Sequence, residues 1–185
     1  MSDPAVQEML DKNEIWHRLL SIARGCDRFD RDLVLSGYHP DAIDNHGSFA
    51  GSPEAFVDWA FAWHKQHQKG HHHALSNHWC EIDGPVAHSE TYYTFFGVNR
   101  EGDHSIATGR YIDRFEKREG RWAIADRVCV REMSGDIAIS ETAKLRSIPL
   151  FDTGPCRRDA TDISYVRPLV VDRTILDNAD QTKEV

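Results

Sequence analysis

Residues 71–133 constrain the fold more than any other part of the chain. Four consecutive stretches carry strand-type patterning: "HHALSNHWCEID", "PVAHSETYYTFFGVN", "HSIATGRYIDRFEKR" and "RWAIADRVCVREM". They are joined by Asp83-Gly84, "NREGD" and "REGR", all short links of the hairpin type. Strands connected this tightly pair antiparallel with their neighbours, so the segment predicts a four-stranded meander. Helical patterning precedes it, which makes the class α+β, with a curved sheet wrapped around helices.

Residues 4–28 read as a helix, because Ile15, Leu19, Leu20, Ile22, Ala23 and Cys26 recur at helical spacing. Asn13 could begin a second segment, with a break near Lys12. Asp30–Tyr38 reads as a short second helix, and Pro40 ends it or starts a turn. Asp41–Phe49 suggests a short strand running into a Gly-containing turn. "GSPEAFVDWAFAWHKQ" then opens a helix, with Ser52 as N-cap, Pro53 at the first position and Glu54 complementing the dipole. Its stripe of Phe56, Trp59, Ala60 and Trp63 is core, or one wall of a pocket for a flat ligand.

The chain after Ser134 has no sustained period. It divides the protein into a domain at 1–133 and an extension at 134–185, whose apolar residues at 145–172 are expected to lie over the domain or a neighbouring subunit. The last residues, "DNADQTKEV", are expected to be disordered.

A net charge of −8 and the absence of a Lys/Arg run argue against a nucleic-acid partner. No apolar run approaches the length that spans a bilayer, so no membrane association is expected. The opening "MSDPAVQEML" has neither a basic nor an apolar signal region, and Cys26, Cys80, Cys129 and Cys156 form no C-x-x-C pair. A cytoplasmic protein with reduced thiols is the expectation.

The segment "KGHHHALSNHWCEIDG" places His71, His72, His73 and His78 within ten positions of one another. On a strand His71 and His73 share one face and His72 takes the other. A His-x-His pair is a metal-ligand arrangement, but it needs further ligands, and nothing in the spacing of His88 or His104 supplies them. No metal is expected. An imidazole also serves as a base near neutral pH, best when a buried carboxylate fixes its tautomer. Asp27 lies beside Ala23 on the apolar side of the first helix, an expensive place for a carboxylate without a partner. It reads equally well as a helix-end or turn residue.

The stretches "CDRFDRDLVLSGYHPDAIDNHGSFAGSPEAFVDW", "HHHALSN" and "GRYIDRFEKREGRWAI" resemble the polyketide-cyclase-like (SnoaL-like) branch of the nuclear transport factor 2-like superfamily. That branch includes scytalone dehydratase, bile-acid 7α-dehydratase and hexachlorocyclohexane dehydrochlorinase. The resemblance covers about residues 10–133. It implies a cone-shaped α+β barrel in which a strongly curved antiparallel sheet wraps the N-terminal helices and leaves a deep apolar pocket. It also implies that Asp27 and His73 form the Asp–His catalytic pair of the dehydratases. The resemblance departs from scytalone dehydratase at Cys26, Asn45, Phe96, Gly109 and Tyr111, where that enzyme polarises its substrate.

The expected activity is that of a cofactor-independent lyase acting on an aromatic or polycyclic small molecule. Asp27 holds His73, and His73 takes a proton while a group leaves the adjacent carbon, by dehydration, loss of halide or aldehyde-releasing C–C cleavage. An isomerase would use the same base. Asn45, His46, Tyr93, Tyr111, Trp59, Trp63 and Phe96 are the expected substrate-binding residues. A non-catalytic binding protein and an accessory β subunit of a ring-hydroxylating dioxygenase are the alternatives. By the same resemblance a homo-oligomer is expected, a trimer before a dimer.

Overall fold

The long N-terminal helix begins where Asp3 accepts a hydrogen bond from the Ala5 N–H and Pro4 occupies the first turn. In the computed structural model, which describes residues 3–138 and 156–171, α1 runs unbroken over Pro4–Arg28. The expected break near Lys12 does not occur. Glu8–Lys12 and Glu14–Arg18 pairs at i,i+4 carry the helix through that region, and Ile15, Leu19, Ile22 and Cys26 form one buried stripe. Phe29 stops α1 in the left-handed conformation, at φ 51°, and its N–H caps the last carbonyls. Asp30 then caps the short α2, Arg31–Leu35. At Gly25 a Cβ would sit 2.6 Å from the Val34 side chain, so glycine lets α2 fold back against the end of α1.

Six strands make one sheet: β1 (Tyr38–Asn45), β2 (Ala50–Gly51), β3 (Gln68–Asp83), β4 (Val86–Asn99), β5 (His104–Arg118) and β6 (Arg121–Ile137), in the order β2-β1-β6-β5-β4-β3. The helix α3 (Pro53–His67) lies between β2 and β3 in sequence, with Ser52 as its N-cap, accepting from the Ala55 N–H. The meander β3–β6 is antiparallel as its turns predict, but β1 pairs parallel with β6, so the curved sheet is mixed and unclosed. Hairpin turns dictate antiparallel pairing, whereas β1 and β6 meet only after the meander has returned to them. Pro40 neither ends a helix nor makes a turn. It sits within β1 where the register with β6 slips between Tyr38 and Ile43, a place where a missing N–H breaks no ladder.

Bulges bend the long strands. Register shifts fall between Leu75 and His78 in β3 and between Thr108 and Gly109 in β5. At Gly109 a Cβ would lie 2.0 Å from the Val130 carbonyl oxygen and 3.0 Å from the Tyr93 hydroxyl, so a side chain cannot fit at that bend. The concave face receives the apolar stripes of α1 and α3, with Phe115, Trp122 and Ile124 fully buried beneath them. Among the described residues, no helix is long and apolar enough to cross a membrane.

The chain divides into two compact units, 1–139 and 140–185. In the second, Asp162 is buried and accepts from the N–H groups of Arg157 and Ser164, starting a single 3-10 turn at Ile163–Tyr165. Much of the expected covering segment at 145–172, and the expected disordered end, lie outside the described residues.

Candidate active site

Asp27 occupies the last turn of α1 and is 9 % exposed. His73 comes from β3, opposite Phe95 of β4. Its Nδ1 is 2.8 Å from Asp27 Oδ1, and its backbone N–H donates to both carboxylate oxygens at 3.1 Å. A carboxylate only accepts, so the imidazole proton sits on Nδ1 and Nε2 is the nitrogen left for chemistry. Holding backbone and ring of one residue through one carboxylate fixes both the strand and the ring plane.

His71 shares the inner face with His73, as strand parity predicts, and is buried. Its Nε2–H donates to the Cys26 carbonyl at 3.1 Å, and its ring stacks on His64 with centroids 4.0 Å apart. The alternation that brings His71 inward sends His72 outward, where it stacks on Phe96. His78 is half-buried, with Nδ1 2.8 Å from Thr91 Oγ1, and burial lowers its pKa. Among the described residues, no group of three or more His, Cys, Asp or Glu side chains is arranged as a metal site.

His73 opens on a cavity of about 360 Å³ between α1, α3 and the sheet. Leu19 and Ile22 of α1 and Phe56 of α3 make its apolar wall. His46, Trp59, Trp63, Tyr93 and Tyr111, all expected at the site, line it. Asn45 and Phe96 do not. Strand parity explains both corrections. Asp44 and His46 point in, leaving Asn45 exposed with its Oδ1 bound to the Gly47 N–H, while Phe95, the cross-strand partner of His73, faces the cavity in place of Phe96. Burial pushes the Tyr93 and Tyr111 phenols well up, which keeps them neutral hydrogen-bond donors, and it does the same to the Cys26 thiol, which makes a poor nucleophile.

A second polar cluster adjoins the first and was not anticipated beyond His46. His46 Nδ1 is hydrogen-bonded to Asp44 Oδ1, and the Tyr38 hydroxyl donates to Asp44 Oδ2 at 2.5 Å. Arg127 grips Asp113 through Nε and Nη2 at 2.7 and 2.9 Å, and its guanidinium lies 4.2 Å over the Tyr111 ring. Burial works against the Arg127 charge, but Asp113, Tyr38 and Asp44 outweigh it and hold the guanidinium charged. These residues were readable in part. Asp113 falls in the inward row between Tyr111 and Phe115, and a carboxylate in an apolar row signals a partner. Arg127 lies in the matching row of β6, beside Ala125. His64, the other imidazole on the cavity wall, sits on α3, where the Trp stripe drew attention away from it.

The arrangement combines an oriented imidazole, neutral phenols and an apolar chamber, the elements of proton transfer on a small apolar molecule. A model of the SnoaL-like domain matches residues 7–128. No curated protein matches the chain. Similar solved structures include a protein of Novosphingobium aromaticivorans provisionally named scytalone dehydratase, at 15% identity and TM-score 0.65, covering 74% of this chain and 93% of that one. Hexachlorocyclohexane dehydrochlorinase LinA-type3 of Novosphingobium barchaimii aligns at 16% identity and TM-score 0.68, over 72% and 94% of the two chains. A protein of Nostoc punctiforme with a cystatin-like fold aligns at 20% identity and TM-score 0.58, over 66% and 92%. The helices inside a bent sheet and the match over two-thirds of the sequence agree: the chain belongs to the SnoaL-like domain family of the nuclear transport factor 2-like superfamily.

Proposed function

We propose that the protein is a cofactor-independent lyase in which the Asp27–His73 pair is the general base, acting on an aromatic or polycyclic small molecule. The observation that carries this reading is the 2.8 Å contact of His73 Nδ1 with a carboxylate at the wall of an apolar cavity. Asp27 stabilises the imidazolium that forms when Nε2 takes a carbon-bound proton. As the C–H bond breaks, its electron pair forms the new double bond and the group on the adjacent carbon departs. Trp59, Trp63 and Phe95 offer flat apolar surface to a ring, and the phenols of Tyr93 and Tyr111 are donors for a carbonyl whose oxygen gains charge. The names of the similar structures, a dehydratase and a dehydrochlorinase, are consistent with elimination chemistry.

The test is proton abstraction itself. In deuterated water the wild type should exchange the α-protons of benzylacetone, an aryl ketone without a leaving group, and His73→Ala should lower that rate by about 100-fold or more, the usual contribution of a positioned base. Exchange unaffected by the substitution would end the assignment and favour a non-catalytic binding protein.

A further inference from the structure

We propose that the cavity takes an organic anion, a ring-bearing carboxylate whose charged end is held by Arg131 at the rim. The proposal names a class of ligand for the site read above as that of a lyase, and it rests on that reading only for the ligand to be a substrate.

The charges on the cavity wall are of one sign. The chain has 30 acidic residues against 22 Lys and Arg. Yet among the described residues that line the cavity there is no Asp or Glu, and there are two arginines, Arg127 and Arg131. Asp27, Asp44 and Asp113 stand behind the wall, each bound to a side chain that lines it: His73, His46 and Arg127. Arg127 is thereby matched within the protein, with Asp113 on two of its nitrogens.

Arg131 has no such match. It is exposed, and among the described residues no carboxylate pairs with it. Its neighbour Glu132 is turned by strand parity to the outer face, where Arg110 holds both Glu132 and Glu90. The other arginines of β5 are engaged as well, Arg114 by Asp126 and Glu116, Arg118 by Asp41 and Glu116. A cation left unpaired in a chain of net charge −8, at the rim of a concave chamber, attracts anions to that chamber.

The backbone leaves room for the contact. Opposite Arg131 on β5 is Gly109, and opposite Gly109 on β4 is Tyr93. A Cβ at Gly109 would stand 3.0 Å from both the Arg131 Cα and the Tyr93 hydroxyl. Glycine thus keeps the strip between Tyr93 and Arg131 clear of any side chain, and a ligand group can reach the guanidinium along the sheet. The Arg131 charge is felt there: burial pushes the Tyr93 phenol and the Cys129 thiol up, and Arg131 pulls both the other way. His73 lies on β3, three strand spacings from Arg131, about 14 Å along the sheet. A ligand with its carboxylate on Arg131 therefore offers His73 an atom from its far end, with its ring against Trp59, Trp63 and Phe95. The planar guanidinium fork matches a carboxylate in two parallel hydrogen bonds.

The experiment is titration calorimetry at neutral pH and low salt with the para-carboxylate of benzylacetone and its neutral para-carboxamide, which share the ring and the ketone. The wild type should bind the carboxylate about tenfold tighter or more, the worth of a charge-assisted hydrogen bond, and added salt should narrow the gap. Arg131→Gln should abolish the preference and leave carboxamide affinity unchanged, while Arg131→Lys should keep part of it. Equal affinities in the wild type, no binding of the carboxylate, or a preference that survives Arg131→Gln overturns the proposal. The lyase reading fails on a different result. A carboxylate preference without deuterium exchange at the ketone leaves the anion site standing and ends the base assignment, and exchange without the preference does the reverse.

Discussion

Replacing Asp113 with Ala should destabilise the protein by about 3 kcal/mol, the low end of the range for breaking a buried ion pair. The substitution removes both acceptors of the Arg127 guanidinium, at 2.7 and 2.9 Å, and leaves that cation 3 % exposed. The penalty stays at the low end because Asp44 remains in the same cluster and the Tyr38 hydroxyl lies 3.4 Å from Nη1. For a unit of this size a loss of about 3 kcal/mol lowers Tm by roughly 10 °C. The double substitution Asp113→Leu with Arg127→Met removes both charges and keeps apolar volume, so it should lie within about 1–2 kcal/mol of the wild type. Urea denaturation followed by circular dichroism measures all of these variants, including Arg127→Met alone. The reasoning fails if Asp113→Ala costs under about 1 kcal/mol, or if the double variant is as unstable as the sum of the singles.

Two further outcomes follow from the same geometry. Asp27→Asn places an amide donor against the donating His73 N–H and favours the wrong imidazole tautomer, so proton abstraction should fall by about 100-fold or more while the fold survives; thermal melts and benzylacetone exchange read the two effects separately. Burial lowers the pKa of His78 in the folded chain, so the unfolded chain binds more protons as pH falls through about 6.5, and stability should decline on the acid side; His78→Gln should flatten the slope between about pH 7 and 5 in urea titrations.

The dependence of each residue's fate on distant contacts explains which expectations held. Hairpin links at Asp83-Gly84 and "REGR" act within a few residues, so the meander was readable from local pattern. The cap at Ser52 and the stripe of α3 are equally local. Pro40 misled because its tolerance in β1 comes from a slipped register with β6, a strand far along the chain. Asn45 and Phe96 each missed the cavity by one position, since a single step of strand parity reverses the face.

Local periodicity and turn chemistry thus set the elements themselves, the inward-facing histidine row of β3 and the apolar stripes of α1 and α3, because those properties depend on neighbours within a turn or a hairpin. The resemblance to a known family suggested that Asp27 and His73 belong together. The distance between them, the parallel return of β6 onto β1 and the gathering of Asp44, His46, Asp113 and Arg127 beside the cavity were decided by folding alone. A buried charge must find its counter-charge in space, and nothing in the spacing along a chain specifies where the curvature of a sheet will bring it.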